Sequence, residues 1–552
     1  MTSAHTKVDV PEPETHDVYG AFPRLTHEQI ARLEQHGSRV PTTPGQVLYR
    51  EGDPSCDFCV ILDGTVATID GHETPDAHVL GVHGPGRFLG ELNILTGQPV
   101  FLTALVQRPG EVLVVATDRL RELVANDSEL ADVVLHAFLE RRFLLLELRS
   151  GFKIVGSRFD PDCHRLRDFA ARNRLPHEFV DLDRDDQAEG LVSGLGVSPS
   201  DTPVVLWRRH LLRNPSNEEL AQIMGLRPAR PEAVTFDLLV VGAGPAGLAA
   251  AVYGASEGLK TLLLDGVATG GQAALSSRIE NYLGFPSGIS GGELAERAVV
   301  QAEKFGAQIT VPYEAVSLEP RDSRYVVSLA DGGEVVASCV LIASGARYRR
   351  LEAENIGDFE GTSVYYSATK MEANLCGGDP IAVVGGGNSA GQATVFLSRF
   401  VSSVRLVVRG DDLGQSMSRY LVDRIERLPN VELVVHHEVR SLLGRNHILE
   451  AIVAEDRHTG ERSRFDCRAL FVFIGAKPHT DWLRPGIAID DRGFVLTGDD
   501  LESYPNRARA SLETNHPGVF AAGDVRSGSV KRVASAVGEG AMAVHLVHEH
   551  LR

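Results

Sequence analysis

Residues 236–251, F-D-L-L-V-V-G-A-G-P-A-G-L-A-A-A, decide the fold of the larger part of this 552-residue chain. An apolar run broken only by Asp237 reads as a buried strand and passes at once into G-A-G-P-A-G, residues 242–247. An alanine-rich helical pattern follows. Glycines at this spacing let a strand turn sharply into a helix, and they bring backbone N–H groups to an anion at the helix's positive end. The pattern is weak by itself. With a strand before it, a helix after it and an acid about twenty residues on, it marks a dinucleotide site. That acid is Asp265, which closes the apolar run 261–264 and suits the adenosine ribose.

A second copy follows. Residues 380–384 lead into G-G-G-N-S-A, residues 385–390, and another helical pattern. Its next strand, 404–408, ends in Arg409, where a cation suits a ribose 2′-phosphate. NADPH is therefore favoured over NADH, although Asp411 and Asp412 stand close by. Two such units imply two bound dinucleotides.

Four further signatures surround the loops: G-G-Q at 270–272, the pair Glu280 and Asn281, A-S-G-A at 343–346, and G-V-F-A-A-G-D-V at 518–525. With the two glycine loops they resemble low-molecular-weight thioredoxin reductase across nearly all of residues 235–552. The resemblance implies that Gly242, Gly244, Pro245, Ala246, Gly247, Asp265, Gly270, Gly271, Gln272, Asn281, Gly345 and Asp524 hold FAD. Lys531, Arg532, Val533 and Ala534 would run past the flavin ring. NADPH would fall to Gly385, Gly387, Asn388, Ser389, Ala390 and Arg409. The family's His-Arg-Arg reads here as Val408-Arg409-Gly410, so one cationic ligand is lost. Hinges between the two nucleotide domains are expected near 347–350 and 475–480, and a homodimer by analogy.

The largest departure is at the redox centre. Where the family carries C-x-x-C, this chain has Y-S-A-T-K at 366–370, with Ser367 and Lys370 in place of the thiols. A hydroxyl and an amine cannot take part in thiol–disulfide exchange. Cys376 is near in sequence, but one thiol is not a dithiol, so no catalytic residue is assigned.

In the N-terminal third a short helical pattern is followed by β runs at 46–49, 58–62, 65–69, 78–82 and 111–116, then by a long apolar-periodic stretch, 120–148. Short strands broken by glycine suggest a small barrel or roll. The pieces Y-R-E-G-D-P (49–54), V-I-L-D-G-T-V (60–66) and F-L-G-E-L-N-I-L (88–95) resemble the cyclic-nucleotide-binding roll. That resemblance places Glu91 at a ribose hydroxyl and an Arg about ten residues later at the phosphate. Val100 or a neighbour stands there instead, and without a cation a buried phosphate loses its strongest bond. Cys56 and Cys59 form one C-x-x-C, too few ligands for structural zinc, and no metal site is expected.

Residues 153–226 read β-α-β and then β-β-α, with a polar helix near 186–195. A strand begun by Thr202-Pro203 after a βαβ unit resembles the thioredoxin/glutaredoxin fold, whose corresponding proline is cis. The first thiol of that family's dithiol is Asp160 here, in D-P-D-C, which leaves Cys163 alone.

The fold class expected is thus multidomain α/β. A tail at 1–20 is disordered; a β-roll with helices spans 21–150, a thioredoxin-like α/β domain 151–226, and a proline-rich linker 227–234. An FAD domain occupies 235–348 and 478–552, and an NAD(P)H domain 349–477. These last two are Rossmann-type domains of the thioredoxin reductase type.

Composition agrees with this plan. Glycine, 55 of 552 residues or about 10%, exceeds the usual ~7%. The net charge of −19 disfavours nucleic acid and anionic membranes. No apolar run is long enough to span a bilayer, and six cysteines with no signal-peptide core point to the cytoplasm. The function expected is an FAD-dependent NAD(P)H oxidoreductase whose acceptor is open: a ferredoxin, a quinone, oxygen or a thioredoxin. The alternative is a flavin-based sensor or scaffold without turnover.

Overall fold

The computed structural model describes residues 13–74, 77–90, 99–148, 151–184, 197, 202–207, 210–226, 234–445, 447–501 and 510–552. The N-terminal roll is a six-stranded antiparallel sheet whose two long strands, Phe58–Asp70 and Thr103–Val115, pair along their length. The sequence divides the first of these at Asp63-Gly64. The structure keeps it as one strand, because Gly64 (φ +90) takes up the irregularity as a bulge beside Arg108. Helices Thr117–Asn126 and Ser128–Leu148 close the roll over Phe58, Phe88 and Phe138.

Residues 13–20, expected as part of a disordered tail, are ordered against the roll. The backbone N–H of Thr15 donates to Val82 O at 3.0 Å, and its hydroxyl accepts from Val82 N at 2.8 Å. Strand His78–His83 lies at the sheet edge, and its unpaired backbone groups recruit this segment although it is polar. Glu91 lies outside the described residues, as do the expected helix 186–195 and the linker except for Val234.

The middle domain has strand order His210–Arg213, Val204–Trp207, Phe152–Gly156, His177–Asp181, with the last two parallel and the others antiparallel. Thr202–Pro203 is cis, as the resemblance implied.

The C-terminal part holds two large sheets, the first mixed, with an antiparallel hairpin Ala315–Arg321 and Arg324–Leu329 at one edge, and the second parallel. In the first, Thr235–Val241 lies between Thr261–Leu264 and Glu334–Ile342, with Gln308–Thr310 outside and Val519–Ala521 returning late in the chain to pair with Glu334–Ile342. In the second, Pro380–Val384 lies between Ser403–Val407 and Ala469–Val472. The central strands are buried on both faces, which explains their unbroken apolar runs. Each opens at its carboxyl end onto a glycine loop. The sheets are joined by a two-stranded ribbon, Ala346–Tyr348 with Ala476–Pro478, in the segments expected as hinges. No helix among the described residues is long and apolar enough to cross a membrane.

Candidate active site

Each glycine of the first loop has its own geometry. Gly242 has φ +113, and a Cβ there would collide with the Ala343 carbonyl. A Cβ at Gly247 would collide with the Gly242 carbonyl, so this glycine sets the approach of helix to strand. A Cβ at Gly244 would meet nothing within 4 Å. Gly244 is also the N-cap of helix Pro245–Ser256, with Pro245 at its first position and Ala246 buried behind it. Tight turn, open approach and close packing are the three tasks a pyrophosphate loop needs.

Asp265 is held differently from the expectation of a carboxylate reserved for ribose. Its Oδ2 accepts from Ala243 N at 2.9 Å, and its Oδ1 accepts from Val267 N at 2.9 Å and Ala268 N at 3.1 Å. Its short side chain therefore ties the glycine loop to the following segment. That segment brings in Gly270 (φ +94), whose N–H donates to Ala243 O at 2.7 Å, and Gly271 (φ +54), packed on Gly244. Next in line, Gln272 has a buried Oε1 with no hydrogen-bond partner. An orphaned buried acceptor beside an open loop is what a ligand N–H or hydroxyl would satisfy.

Asp524 reaches the same place from the far end of the chain. The turn Gly523–Val525 follows strand Val519–Ala521, and Gly523 (φ +77) packs on Ala246. Glu539 fixes this turn: its Oε2 accepts from Gly523 N at 2.6 Å, and Arg526 pairs with its Oε1 at 2.6 Å. Burial pushes the Asp524 carboxyl above its ordinary pKa, which Lys531 opposes. Lys531 Nζ donates to Asp524 O at 2.6 Å and lies over the Phe494 ring. Arg532 is the N-cap of helix Val533–Leu551, which starts at Val533 and Ala534, so residues 531–534 form a helix start beside the Asp524 turn. Gly345 (φ +64) is open around its Cβ position. Asn281 is exposed, and no contact draws it toward this cradle.

The second loop repeats the pattern. Gly385 has φ +140, and a Cβ would collide with the Phe473 carbonyl; Gly387, the N-cap of helix Asn388–Leu397, faces open space. Asn388 Oδ1 accepts from Ser418 N at 2.7 Å, and Ala390 is buried. Ser389 hydrogen-bonds the Tyr348 hydroxyl, whose pKa burial raises, with the Asp524 charge adding to the rise. Tyr348 thus ties the second loop to the two-stranded ribbon, where it pairs with Ala476. Arg409 is exposed, and Arg457 Nη1 donates to its carbonyl at 3.4 Å. Asp411, His436 and His458 gather nearby, with His436 Nδ1 at 3.3 Å from Asp411 and 3.0 Å from His458 Nε2.

Comparison with known proteins settles what this scaffold is. Residues 236–540 match the family model for pyridine nucleotide-disulphide oxidoreductases. The chain belongs to that family. Thioredoxin reductase of Treponema pallidum (strain Nichols) is 33% identical over 316 residues, 57% of this chain and 97% of that protein. The crystal structures of the thioredoxin reductases of T. acidophilum and Lactococcus lactis (the latter in its FR conformation) each superpose with a TM-score of 0.53. They are 29% and 28% identical and cover 57% of this chain, and 98% and 99% of their own. Residues 39–127 match the cyclic nucleotide-binding domain.

Residues 366–370, the segment where the resemblance placed a dithiol, have their own contacts. Ser367 Oγ lies 3.5 Å from Glu372 Oε1, and Thr369 caps helix Lys370–Leu375 in a box with Glu372. All six cysteines are free and buried. Burial pushes the Cys59, Cys339, Cys376 and Cys467 thiols up to about 12 and raises Cys163 as well, so none is a ready nucleophile.

What touches this segment is the chain's own middle domain, through the start of helix Pro161–Arg172. Asp160 caps helix Pro161–Arg172 by accepting from Asp162 N at 2.7 Å. His164, one residue beyond Cys163, stacks on Tyr365 at 5.6 Å and lies 4.0 Å from buried Glu372. Arg158 Nη2 donates to Leu375 O at 3.0 Å. The opposite end of the same domain grips the FAD-type sheet. Arg174 pairs with Glu296 at 2.8 Å, both side chains about a tenth exposed, and donates to Thr269 Oγ1 and Gly292 O.

Sequence reasoning missed Tyr348, Glu539, Arg174 and His164. A glutamate holding a turn sixteen residues upstream carries no local signal, and the two interdomain residues look like ordinary helix-surface positions.

Proposed function

We propose that the protein is an FAD-dependent NAD(P)H oxidoreductase, NADPH preferred, that delivers electrons to an acceptor without a built-in dithiol. The observation that carries this reading is the pair of glycine loops, each with an open middle glycine at a helix N-terminus. FAD, when bound, supplies the chemistry of accepting a hydride and passing its electrons on. The residues' own tasks are binding and orientation. Gly244 and the helix start at Pro245 would take the flavin pyrophosphate, Gln272 Oε1 would accept from a flavin N–H or ribityl hydroxyl, and Asp524 would accept from the ribityl chain. Gly387 and its helix would take the nicotinamide dinucleotide's pyrophosphate, and Arg409 the 2′-phosphate.

Thioredoxin is the acceptor that the family resemblance suggests first. Two features argue for another: Ser367 and Lys370 replace the thiols, and the thioredoxin-like domain already sits against them through His164 and Arg158. The acceptor then reaches the flavin directly. A second reading, a flavin-based sensor without turnover, is favoured by Arg174, which links the N-terminal domains to the segment beside Gly270.

Anaerobic titration of the purified yellow protein with NADPH separates the two. Rapid bleaching of the visible flavin band is the expected result. A flavin that binds and stays oxidised sinks the enzyme reading and leaves the sensor. Turnover with oxidised thioredoxin in the unmodified protein would overturn the proposed choice of acceptor.

A further inference from the structure

A cavity of about 190 Å³ lies inside the β-roll, between the sheet, the segment around Phe22 and helix Ser128–Leu148. Its walls are mostly apolar: Val18, Phe22, Leu80, Leu89, Leu102 and Leu145 all line it.

Arg141 is the one cation among the described lining residues, and the roll has already committed it. Its Nε donates to Ala21 O at 2.8 Å, its Nη1 to Gly90 O at 2.5 Å and its Nη2 to Phe88 O at 3.0 Å, with the guanidinium 4.6 Å above the Phe88 ring. A phosphate entering here would meet hydrocarbon and an arginine turned to backbone carbonyls.

One polar atom remains unsatisfied. His83 is 2% exposed, and its Nδ1 has no hydrogen-bond partner. Its Nε2 lies 3.2 Å from Thr68 Oγ1, and that hydroxyl donates to Gly81 O at 3.3 Å. Because the threonine proton is spent on Gly81, Nε2 carries the imidazole hydrogen and Nδ1 presents a bare lone pair. Burial first, then Arg141 and Arg87, hold the imidazole neutral. An orphaned buried acceptor carries the cost of its lost hydration, which a donor in the cavity would recover.

We infer that the roll's cavity is a site for an uncharged, largely apolar small molecule bearing one hydroxyl or N–H that donates to His83 Nδ1. The space suits a ring-sized body: an engineered apolar cavity of roughly 150 Å³ already takes benzene. The residue after Arg141 begins a polar link toward the G-G-Q loop. Arg142, next to Arg141, donates to Arg174 O at 3.5 Å, and Arg174 reaches Thr269 beside the G-G-Q loop.

Isothermal titration of the full-length flavoprotein with 1-naphthol, against cyclic AMP and cyclic GMP, tests this. Saturable one-to-one binding of 1-naphthol is expected, undisturbed by millimolar cyclic nucleotide and lost in Leu102→Trp, which fills the cavity. His83→Phe should weaken 1-naphthol about threefold to tenfold while leaving naphthalene, which lacks the hydroxyl, unchanged. Binding or competition by either cyclic nucleotide at micromolar concentration overturns the proposal. Equal binding of 1-naphthol to Leu102→Trp overturns it as well, by placing the ligand elsewhere. Should Leu102→Trp fail to fold, unchanged 1-naphthol affinity in His83→Phe has the same force.

Discussion

At Gly244 and at Gly387 an added Cβ would meet nothing within 4 Å, so both nucleotide loops leave their approach to a ligand open. In the N-terminal half the comparable positions are filled from within. Leu102 lines an apolar cavity, Arg141 is turned to three carbonyls, and Asp160 caps a helix. Cys163 packs against Gly156 and Pro203, its thiol buried. A fold can therefore outlive the chemistry it usually carries. In this chain the N-terminal half is fastened to the other by buried polar contacts, Arg174 with Glu296 among them.

The largest expected effect breaks the open loop itself. Gly247→Val would drive a side chain into the Gly242 carbonyl and separate helix from strand. Loss of flavin and of the cooperative thermal transition of this domain is expected. Gly244→Ala should instead leave the fold intact and weaken flavin binding on the order of tenfold, because its methyl group points where the pyrophosphate would approach. Flavin content and melting curves of the two variants distinguish these outcomes. Equal behaviour would mean that the three glycines do not have separate tasks.

The glycine loops were legible in the sequence because their constraint is local: a strand, a turn and a helix within twenty residues. Pro203 was legible for the same reason, and its peptide bond is cis. Asp265 shows where local reading ended. It closes the strand as its place in the sequence implies, but three backbone N–H groups engage it, and only the path of residues 266–270 reveals that. The docking of His164 on Tyr365 joins positions some two hundred residues apart, and no periodicity or motif encodes such a pairing. The bulge at Gly64 was misread as a turn, because Asp-Gly is also the strongest hairpin signal.

Next in size is the fastening between the halves. Arg174→Met leaves Glu296 buried without its cation, close to the unpartnered Glu303. Removing one member of such a pair costs about 3–5 kcal/mol, and Arg174→Met with Glu296→Leu should recover most of it. Melting midpoints check the stability. Flavin affinity checks the linkage, since Arg174 also holds Thr269. Were the N-terminal half a mere appendage, flavin affinity would not change.

Glu303 itself gives a pH-dependent test of the same junction. Its Oε2 is buried without a hydrogen bond, and burial followed by the Glu296 charge pushes its pKa up to about 8, against opposition from Arg121 and Arg142. The folded protein therefore holds this proton more tightly than the unfolded chain, where the pKa is 4.5. Its penalty is absent below pH 4.5, grows as pH rises through the interval, and is fully present above about 8. Glu303→Gln should stabilise by on the order of 2–4 kcal/mol above pH 8 and by little at pH 5. Melting temperatures of both proteins at the two pH values measure it. A pH-independent difference would show that packing, not charge burial, dominates where roll and flavin domain meet.

The smallest effect is expected at the second loop's edge. Arg409 is exposed, so water screens any bond it makes to a 2′-phosphate, and a contribution of about 1 kcal/mol is the reasonable scale. Arg409→Ala should raise the NADPH dissociation constant roughly fivefold and leave NADH unchanged. Stopped-flow reduction at varied concentrations of each coenzyme separates the two constants. An equal loss for both would mean that Arg409 shapes the loop rather than reading the phosphate. No loss for either would hand the discrimination to Arg457, His436 and His458, which the hairpin turn and the strand end bring to the same edge.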